Sequence, residues 1–257
     1  MSNIGIQARP RDFAARETVR RRTFSTIWNR ELHAVFRDVA PYYDVASNVA
    51  SLGLCALWQR RFLSMINIRP GEQALDLCAG TNAVGMGLLA RQPAARVISL
   101  DRSPSMQAVG QGLARARGLE VTGTIGDAHH LPFADASFDV VTLQFASRHL
   151  AIIDVFHEVR RVLRPGGRFF HCDMLRPGNA AVETLYAAYL KACVAGTALL
   201  FGSGPEARSC RDYFVEAIRL FYTPDELALL LAEVGFDDVS FETAPGQILA
   251  AHRAVKV

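Results

Sequence analysis

The 257 residues are half hydrophobic and carry a formal charge of only +3, which is enough apolar side chain to bury a full core in one α/β domain. The excess charge is local: residues 1–40 hold eight Arg against four acids, so the remainder is close to neutral, and a general nucleic-acid binder is excluded. The five cysteines, at 55, 78, 172, 193 and 210, have neither CxxC pairing nor metal spacing, a pattern that excludes a zinc site and fits a reducing compartment.

No apolar h-region opens the chain and no apolar tract is long enough for a membrane span, so a cytoplasmic location is expected. Residues 8–37 are Arg-rich and read as one or two surface helices. Their charge suits either solvation or a peripheral contact with anionic lipid. Residues 44–66 carry apolar side chains at helical spacing and predict a helix near the mouth of a ligand site.

Strands are then expected at 73–78, 96–101, 120–125, 138–144 and 167–173, with helices at 83–91, 104–117 and 151–163. This alternation predicts an α/β, doubly wound, mostly parallel sheet covered on both faces. The signals Arg69-Pro70-Gly71 and Arg164-Pro165-Gly166-Gly167 stop the helices before strands one and five. Residues 180–222 read as a helical insertion, Pro224 opens a last helix ended by Gly235, and strands near 238–243 and 247–254 close the chain as a hairpin. The expected organisation is a helical N-terminal cover over 1–66 and an α/β domain over 67–257 that carries the insertion.

The stretch from Ala74 to Asn82 delivers Asp76 at the end of an apolar strand into a turn of small residues around Gly80, ahead of a helix beginning near Ala83. Such a turn brings backbone N–H groups close to a nucleotide-like ligand. Asp101 ends the second strand, where an acid can accept both hydroxyls of a ribose. Asp127-Ala128 follows the third and suits the exocyclic amine and ring edge of adenine. No Lys or Arg in this set is placed to hold a phosphate, which favours S-adenosylmethionine over a dinucleotide. A dinucleotide-dependent oxidoreductase remains a rival class that predicts nicotinamide binding.

Further blocks carry a resemblance: Val35-Phe36 with Tyr43-Asp44, Leu131-Pro132-Phe133, Phe145 to Arg148, Arg161 to Arg168, Tyr213 to Arg219, Gly246-Gln247-Ile248 and Ala251-His252-Arg253. With these the chain resembles class I S-adenosylmethionine-dependent methyltransferases, and within them the ubiquinone/menaquinone biosynthesis C-methyltransferase family. The resemblance implies a Rossmann-like seven-stranded sheet with an antiparallel last strand, and C-methylation of a prenylated quinol precursor. It departs at Asn82, where the family usually has Gly, at Ala83, where it has an acid, and at His149, where it has Asn. Asn is among the few residues other than Gly that tolerate positive φ.

The expected cofactor contacts are Asp76, Cys78, Gly80, Thr81, Asn82, Asp101, Arg102, Met106, Asp127, Ala128 and Gln144. The expected catalytic group is Tyr43, Arg148 and His149, with no metal. A base of near-neutral pKa suits removal of a phenolic proton, an Arg suits the phenolate, and Tyr43 matches the family tyrosine near the acceptor. Asp173 is an equal candidate as a structural partner for Arg148, and a hydrogen-bonded core histidine is an equal reading of His149. Phe145, Tyr186, Tyr189, Phe201, Tyr213, Phe214 and Phe221 are divided between pocket and core. His129-His130 reads as loop beside adenine and His252 as packing. The acceptor is expected to be a small aromatic molecule, prenylated under the quinone reading. The other readings are an O-, N- or C-methyltransferase of a soluble specialised metabolite and a non-catalytic homologue that binds the cofactor. A homodimer is compatible with the sequence.

Overall fold

A computed structural model describes residues 12–200 and 211–257. The expectations for residues 8–11, Phe201 and Cys210 lie outside the described residues. Helices α1 (Phe13–Thr26), α2 (Leu32–Val39), α3 (Tyr43–Ala50) and α4 (Leu54–Met65) precede the sheet, with a π turn at Ile27–Glu31. The alternating part runs β1 (Gln73–Leu77), α5 (Ala83–Arg91), β2 (Arg96–Asp101), α6 (Pro104–Ala116), β3 (Val121–Ile125), β4 (Phe138–Gln144), α7 (Ile152–Val162) and β5 (Leu163–Met174). Helices α8 (Ala180–Leu200), α9 (Arg211–Arg219) and α10 (Pro224–Val234) lead to β6 (Phe236–Thr243) and β7 (Leu249–Lys256).

The seven strands lie in the order β3-β2-β1-β4-β5-β7-β6. Pairings from β3 through β5 are parallel, and β7 is antiparallel to both β5 and β6. The strand order reverses beside β1 and β4, and the crevice at their carboxyl ends is where an α/β sheet takes its ligand. One apolar layer joins the sheet to α7, α10 and Phe13 of α1, and the other joins it to α4, α5 and α6. Alternate side chains of the central strands enter opposite layers, as Leu75 and Ala74 of β1 do.

Four expectations need correction. Residues 44–66 form two helices, because the chain reverses at Leu52 and Gly53 with φ of 51° and 83° and Asn48 Oδ1 accepts the Ala56 N–H at 3.1 Å. α7 stops at Val162 before the Arg-Pro-Gly-Gly signal, as expected, but β5 begins at Leu163, four residues early, because that signal is carried within the strand as a bulge. The register passes from Phe138 opposite Leu163 to Val140 opposite Arg168. Of the closing strands, β6 starts two residues early, directly after Gly235, and ends at Thr243 as expected, while β7 lies two residues later, after a short turn at Pro245–Gln247. The Arg-rich N-terminal helix is not simply solvated, since Glu17 and Arg20 are buried.

Asn82 keeps the turn at φ 61°, but its side chain is fully buried and neither amide atom has a hydrogen-bond partner among the described residues. It packs towards Gly110 of α6, where an added Cβ would lie 2.8 Å from Asn82 Cγ. An unpartnered buried amide costs roughly 1–3 kcal/mol, and a non-glycine residue in the left-handed region adds strain. Loss of packing and the greater freedom of glycine in the unfolded chain offset part of this. Asn82→Gly is therefore expected to stabilise the fold by about 1 kcal/mol, read as a rise in thermal midpoint.

Candidate active site

The turn after β1 is left-handed at Cys78, Gly80 and Asn82, with φ of 51°, 52° and 61°. Space decides the residue at the second of these. A Cβ on Gly80 would stand 3.2 Å from Met106 Cε, narrowing the gap between the turn and α6. Asp101 locks the turn by accepting the N–H of Gly80 at 2.8 Å and that of Ser103 at 2.7 Å. Thr81 donates its hydroxyl to Asp44 of α3 at 2.8 Å, which ties the N-terminal helices to the turn. The role of Asp44 was missed, although the Tyr43-Asp44 block marked the position.

Asp76 takes a different part from Asp101. It is 1% exposed, and its oxygens accept the Thr142 hydroxyl at 2.7 Å and the Gly85 N–H at 3.2 Å. It thereby caps α5, whose own N-cap residue Asn82 makes no side-chain bond. Burial raises its carboxyl pKa to about 7. The folded protein then holds this proton more tightly than the unfolded chain, so the stability it contributes is full at low pH and is lost as pH rises towards about 7. Asp76→Asn is expected to flatten that decline, measured as denaturant midpoints between about pH 5 and pH 8.

Asp127 accepts both the backbone N–H of His129, at 2.9 Å, and its ring Nδ1, at 2.6 Å. The ring Nε2 accepts the Ala151 N–H at 3.0 Å, which fixes the tautomer with the proton on Nδ1. The His129 hydrogen bond holds the Asp127 carboxyl below the usual carboxylate range. His129 thus links the segment after β3 to the loop after β4, a connection with no local signature in the chain.

That loop carries Arg148 and His149 in a short 3-10 turn, Ser147–His149. The Arg148 guanidinium pairs with buried Asp173 and donates to the Phe145 carbonyl at 3.0 Å. Asp173 also accepts the Ser147 hydroxyl at 2.5 Å and the N–H groups of Arg148 and Met174 at 3.2 and 2.7 Å. His149 is 6% exposed. Its Nδ1 lies 2.5 Å from the Tyr213 hydroxyl, which also accepts from Trp28 Nε1 at 3.0 Å. Burial, then Arg148 and Arg20, push the His149 pKa well below its ordinary value, so the imidazole is neutral at neutral pH. Its Nε2 has no hydrogen-bond partner among the described residues. Burial raises the Tyr43 hydroxyl.

A cavity of about 890 Å³ joins these groups, a volume typical of a small-molecule site. Asp76, Cys78, Gly80, Thr81, Asp101, Arg102, Met106, Asp127, Ala128 and Gln144 line one part of it, and Tyr43, Arg148 and His149 another. Asn82 is set apart behind the turn and does not line the cavity, whereas Asp76 lines it with its carboxylate also engaged by Thr142 and Gly85. Phe145, Tyr186, Tyr189 and Phe214 face the cavity, whereas Tyr213 and Phe221 belong to the core. His252 is core as well, with Nε2 donating to the Pro224 carbonyl at 2.9 Å.

A small-residue turn, the acids at the ends of β2 and β3, and a cavity that continues under the N-terminal helices form one continuous site. The model of the ubiE/COQ5 methyltransferase family matches residues 25–256. The chain belongs to that family. A demethylmenaquinone methyltransferase of Beutenbergia cavernae is 39% identical over 88% of this chain and 91% of its own length. A crystal structure of a methyltransferase from Bacillus halodurans shares the fold at TM-score 0.58 and 18% identity, over 77% of this chain and 98% of that one. A phosphoethanolamine N-methyltransferase of Haemonchus contortus, solved with S-adenosyl-L-methionine, aligns at TM-score 0.57 and 15% identity, over 77% of this chain and 52% of that one. The enzyme is an S-adenosylmethionine-dependent methyltransferase. No helix among its described residues is long and apolar enough to cross a membrane.

Proposed function

We propose that the enzyme methylates a ring carbon of a prenylated quinol, with the nucleoside held at the turn and the ring beneath Tyr43, Arg148 and His149. The single observation that carries this reading is the continuous cavity. One end offers polar groups suited to an adenosine, and the other offers a buried cation and an imidazole inside apolar walls from α2, α8 and α9. The names of the curated relatives support the quinol as acceptor.

The residues fit S-adenosylmethionine. Asp101 holds the turn open while keeping lone pairs for ribose hydroxyls. Arg102, the residue after Asp101, donates instead to the carbonyls of Trp28 and Asn29, which suits an uncharged ribose rather than a phosphate. Bound there, the cofactor supplies an electrophilic methyl group on a sulfonium. The protein aligns the ring carbon with that methyl group and excludes water.

Neutral His149 accepts the phenolic proton, Arg148 stabilises the phenolate, and the Tyr43 hydroxyl donates to the ring oxygen; after methylation the ring carbon loses its hydrogen as a proton, which restores the aromatic quinol. Burial, and then Arg148 and Arg20, keep His149 neutral and so disfavour its imidazolium. By stabilising the phenolate Arg148 acidifies the phenol, which narrows the gap for proton transfer.

The tail of such an acceptor has an apolar route. Val45 and Val49 of α3, Leu54 and Leu57 of α4, and Leu52 in the turn between them are exposed, and the inner faces of both helices line the cavity. Residues 45–63 contain no acid. This ridge suits peripheral contact with a bilayer better than α1 does, since Arg16, Arg20 and Arg21 are engaged by Glu226, Glu17 and Asp154.

The test incubates the enzyme with labelled S-adenosylmethionine and a reduced 2-prenyl-1,4-naphthoquinone, and locates the label by mass spectrometry. Label on the ring carbon is expected; label on oxygen, or none, refutes the reading. His149→Asn keeps a polar side chain but removes the base, and is expected to lower kcat by about 100-fold or more with cofactor affinity unchanged. An unaltered kcat and pH profile would make His149 a spectator.

A further inference from the structure

Glu17 and Arg20 stand one turn apart on α1, ahead of the segment that the family model matches, and are 3% and 0% exposed. Placing two charges there carries a desolvation penalty that their bonds must offset. Arg20 Nη1 donates to Glu17 Oε2 at 2.7 Å, and Nη2 donates to the carbonyls of Arg148 at 3.0 Å and Leu150 at 3.2 Å. Glu17 Oε1 accepts the Ile152 N–H at 3.0 Å, and Oε2 accepts the Tyr222 hydroxyl at 3.1 Å. The guanidinium lies 4.7 Å from the Phe221 ring centroid and 5.4 Å from that of Trp28.

These contacts converge on residues 148–152. Helix α7 starts after Ala151, which has no side-chain acceptor, and its N-cap makes no side-chain hydrogen bond. The Glu17 carboxylate therefore caps α7 from a distant element, where a negative charge also suits the helix dipole. Asp173 grips the same loop from the sheet and His129 from the loop after β3. Without α1 the carbonyls of Arg148 and Leu150 would lose their side-chain donors.

We propose that Glu17 and Arg20 are positioning residues for methyl transfer: from α1 they fix the backbone that presents Arg148 and His149 to the acceptor. The proposal rests on the reading of Arg148 and His149 as acceptor-side groups. It accounts for a buried ion pair where an apolar pair of similar volume would serve stability equally well, because an apolar pair cannot hold two carbonyls and a helix N-terminus in register.

The test compares the parent with Glu17→Gln and with the double variant Glu17→Gln/Arg20→Met. The double variant leaves no uncompensated buried charge, and Gln keeps an acceptor for Ile152. Amide hydrogen exchange is followed by mass spectrometry, cofactor affinity by calorimetry, and kcat with reduced 2-prenyl-1,4-naphthoquinone well below the thermal midpoint. In the double variant, exchange over residues 148–152 is expected to rise about tenfold while β4 and β5 keep their protection. Its kcat is expected to fall about 100-fold, with cofactor affinity within about threefold of the parent.

Unchanged exchange over 148–152 overturns the proposal, and so does faster exchange with an unchanged kcat. If the parent fails to methylate this acceptor, the substrate reading falls, and the exchange data still decide whether α1 holds the loop.

Discussion

Asp173→Ala is expected to destabilise the enzyme by about 3–5 kcal/mol, the usual consequence of leaving a buried charge without its partner. The Arg148 side chain is 7% exposed and that of Asp173 is fully buried. Without the carboxylate, the guanidinium retains only the Phe145 carbonyl. The Ser147 hydroxyl and the N–H groups of Arg148 and Met174 lose their acceptor at the same time. The converse change should be milder for stability: Arg148→Met leaves Asp173 with three donors that still solvate its charge.

Thermal denaturation should therefore rank Asp173→Ala below Arg148→Met, and both below the parent. Methyl transfer should rank differently. Arg148→Met removes the cation itself and Asp173→Ala only releases it, so kcat should fall further in Arg148→Met. A stability order opposite to this would mean that the pair is held chiefly by Arg148, and the account of the loop would have to change.

Asp101→Ala is expected to weaken S-adenosylmethionine binding by about 100-fold or more. Two ribose hydroxyls bonded to a carboxylate contribute about 1.5–3 kcal/mol each, and the alanine also frees the Gly80 and Ser103 N–H groups that keep the turn in shape. Asp101→Asn keeps one acceptor oxygen and should lose roughly half of that free energy. Calorimetric titration of the cofactor into each variant measures the effect directly. Affinity within about threefold of the parent in Asp101→Ala would remove the ribose from this position. Asp127→Ala should be milder, because the carboxylate there is already bonded to the ring and backbone of His129.

The elements that carry the site were legible in the chain itself. The segments 83–91, 96–101, 138–144 and 224–234 coincide with α5, β2, β4 and α10 residue for residue. Each is bounded by a local signal: a left-handed turn residue, an acid after an apolar run, or a Pro and a Gly at the two ends of a helix. Where a signal admits two outcomes the boundary moved. Arg164-Pro165-Gly166-Gly167 follows the end of α7 and also bulges β5, and pairing with β4 moved the strand start back to Leu163. Ser51-Leu52-Gly53 sits inside an apolar pattern that continues through it, so the helical period alone did not reveal the break.

By itself, the sequence determined the order of strands and helices, the turn around Gly80, and the positions of Asp101, Asp127, Arg148 and His149 near strand ends. All of these follow from contiguous residues, since the period of side chains and the conformational limits of Gly, Asn and Pro act locally. Only the tertiary structure decided the partners. It gave Arg148 to Asp173, His149 to Tyr213, Thr81 to Asp44, and the loop at 148–152 to Glu17 and Arg20. It also turned Asp76 inward as a cap and left Asn82 behind the turn. The physical reason is that a buried polar group must find whatever complementary group the fold brings within about 3 Å. For Glu17 and Ile152 that meeting spans 135 positions, a separation across which no local pattern carries information.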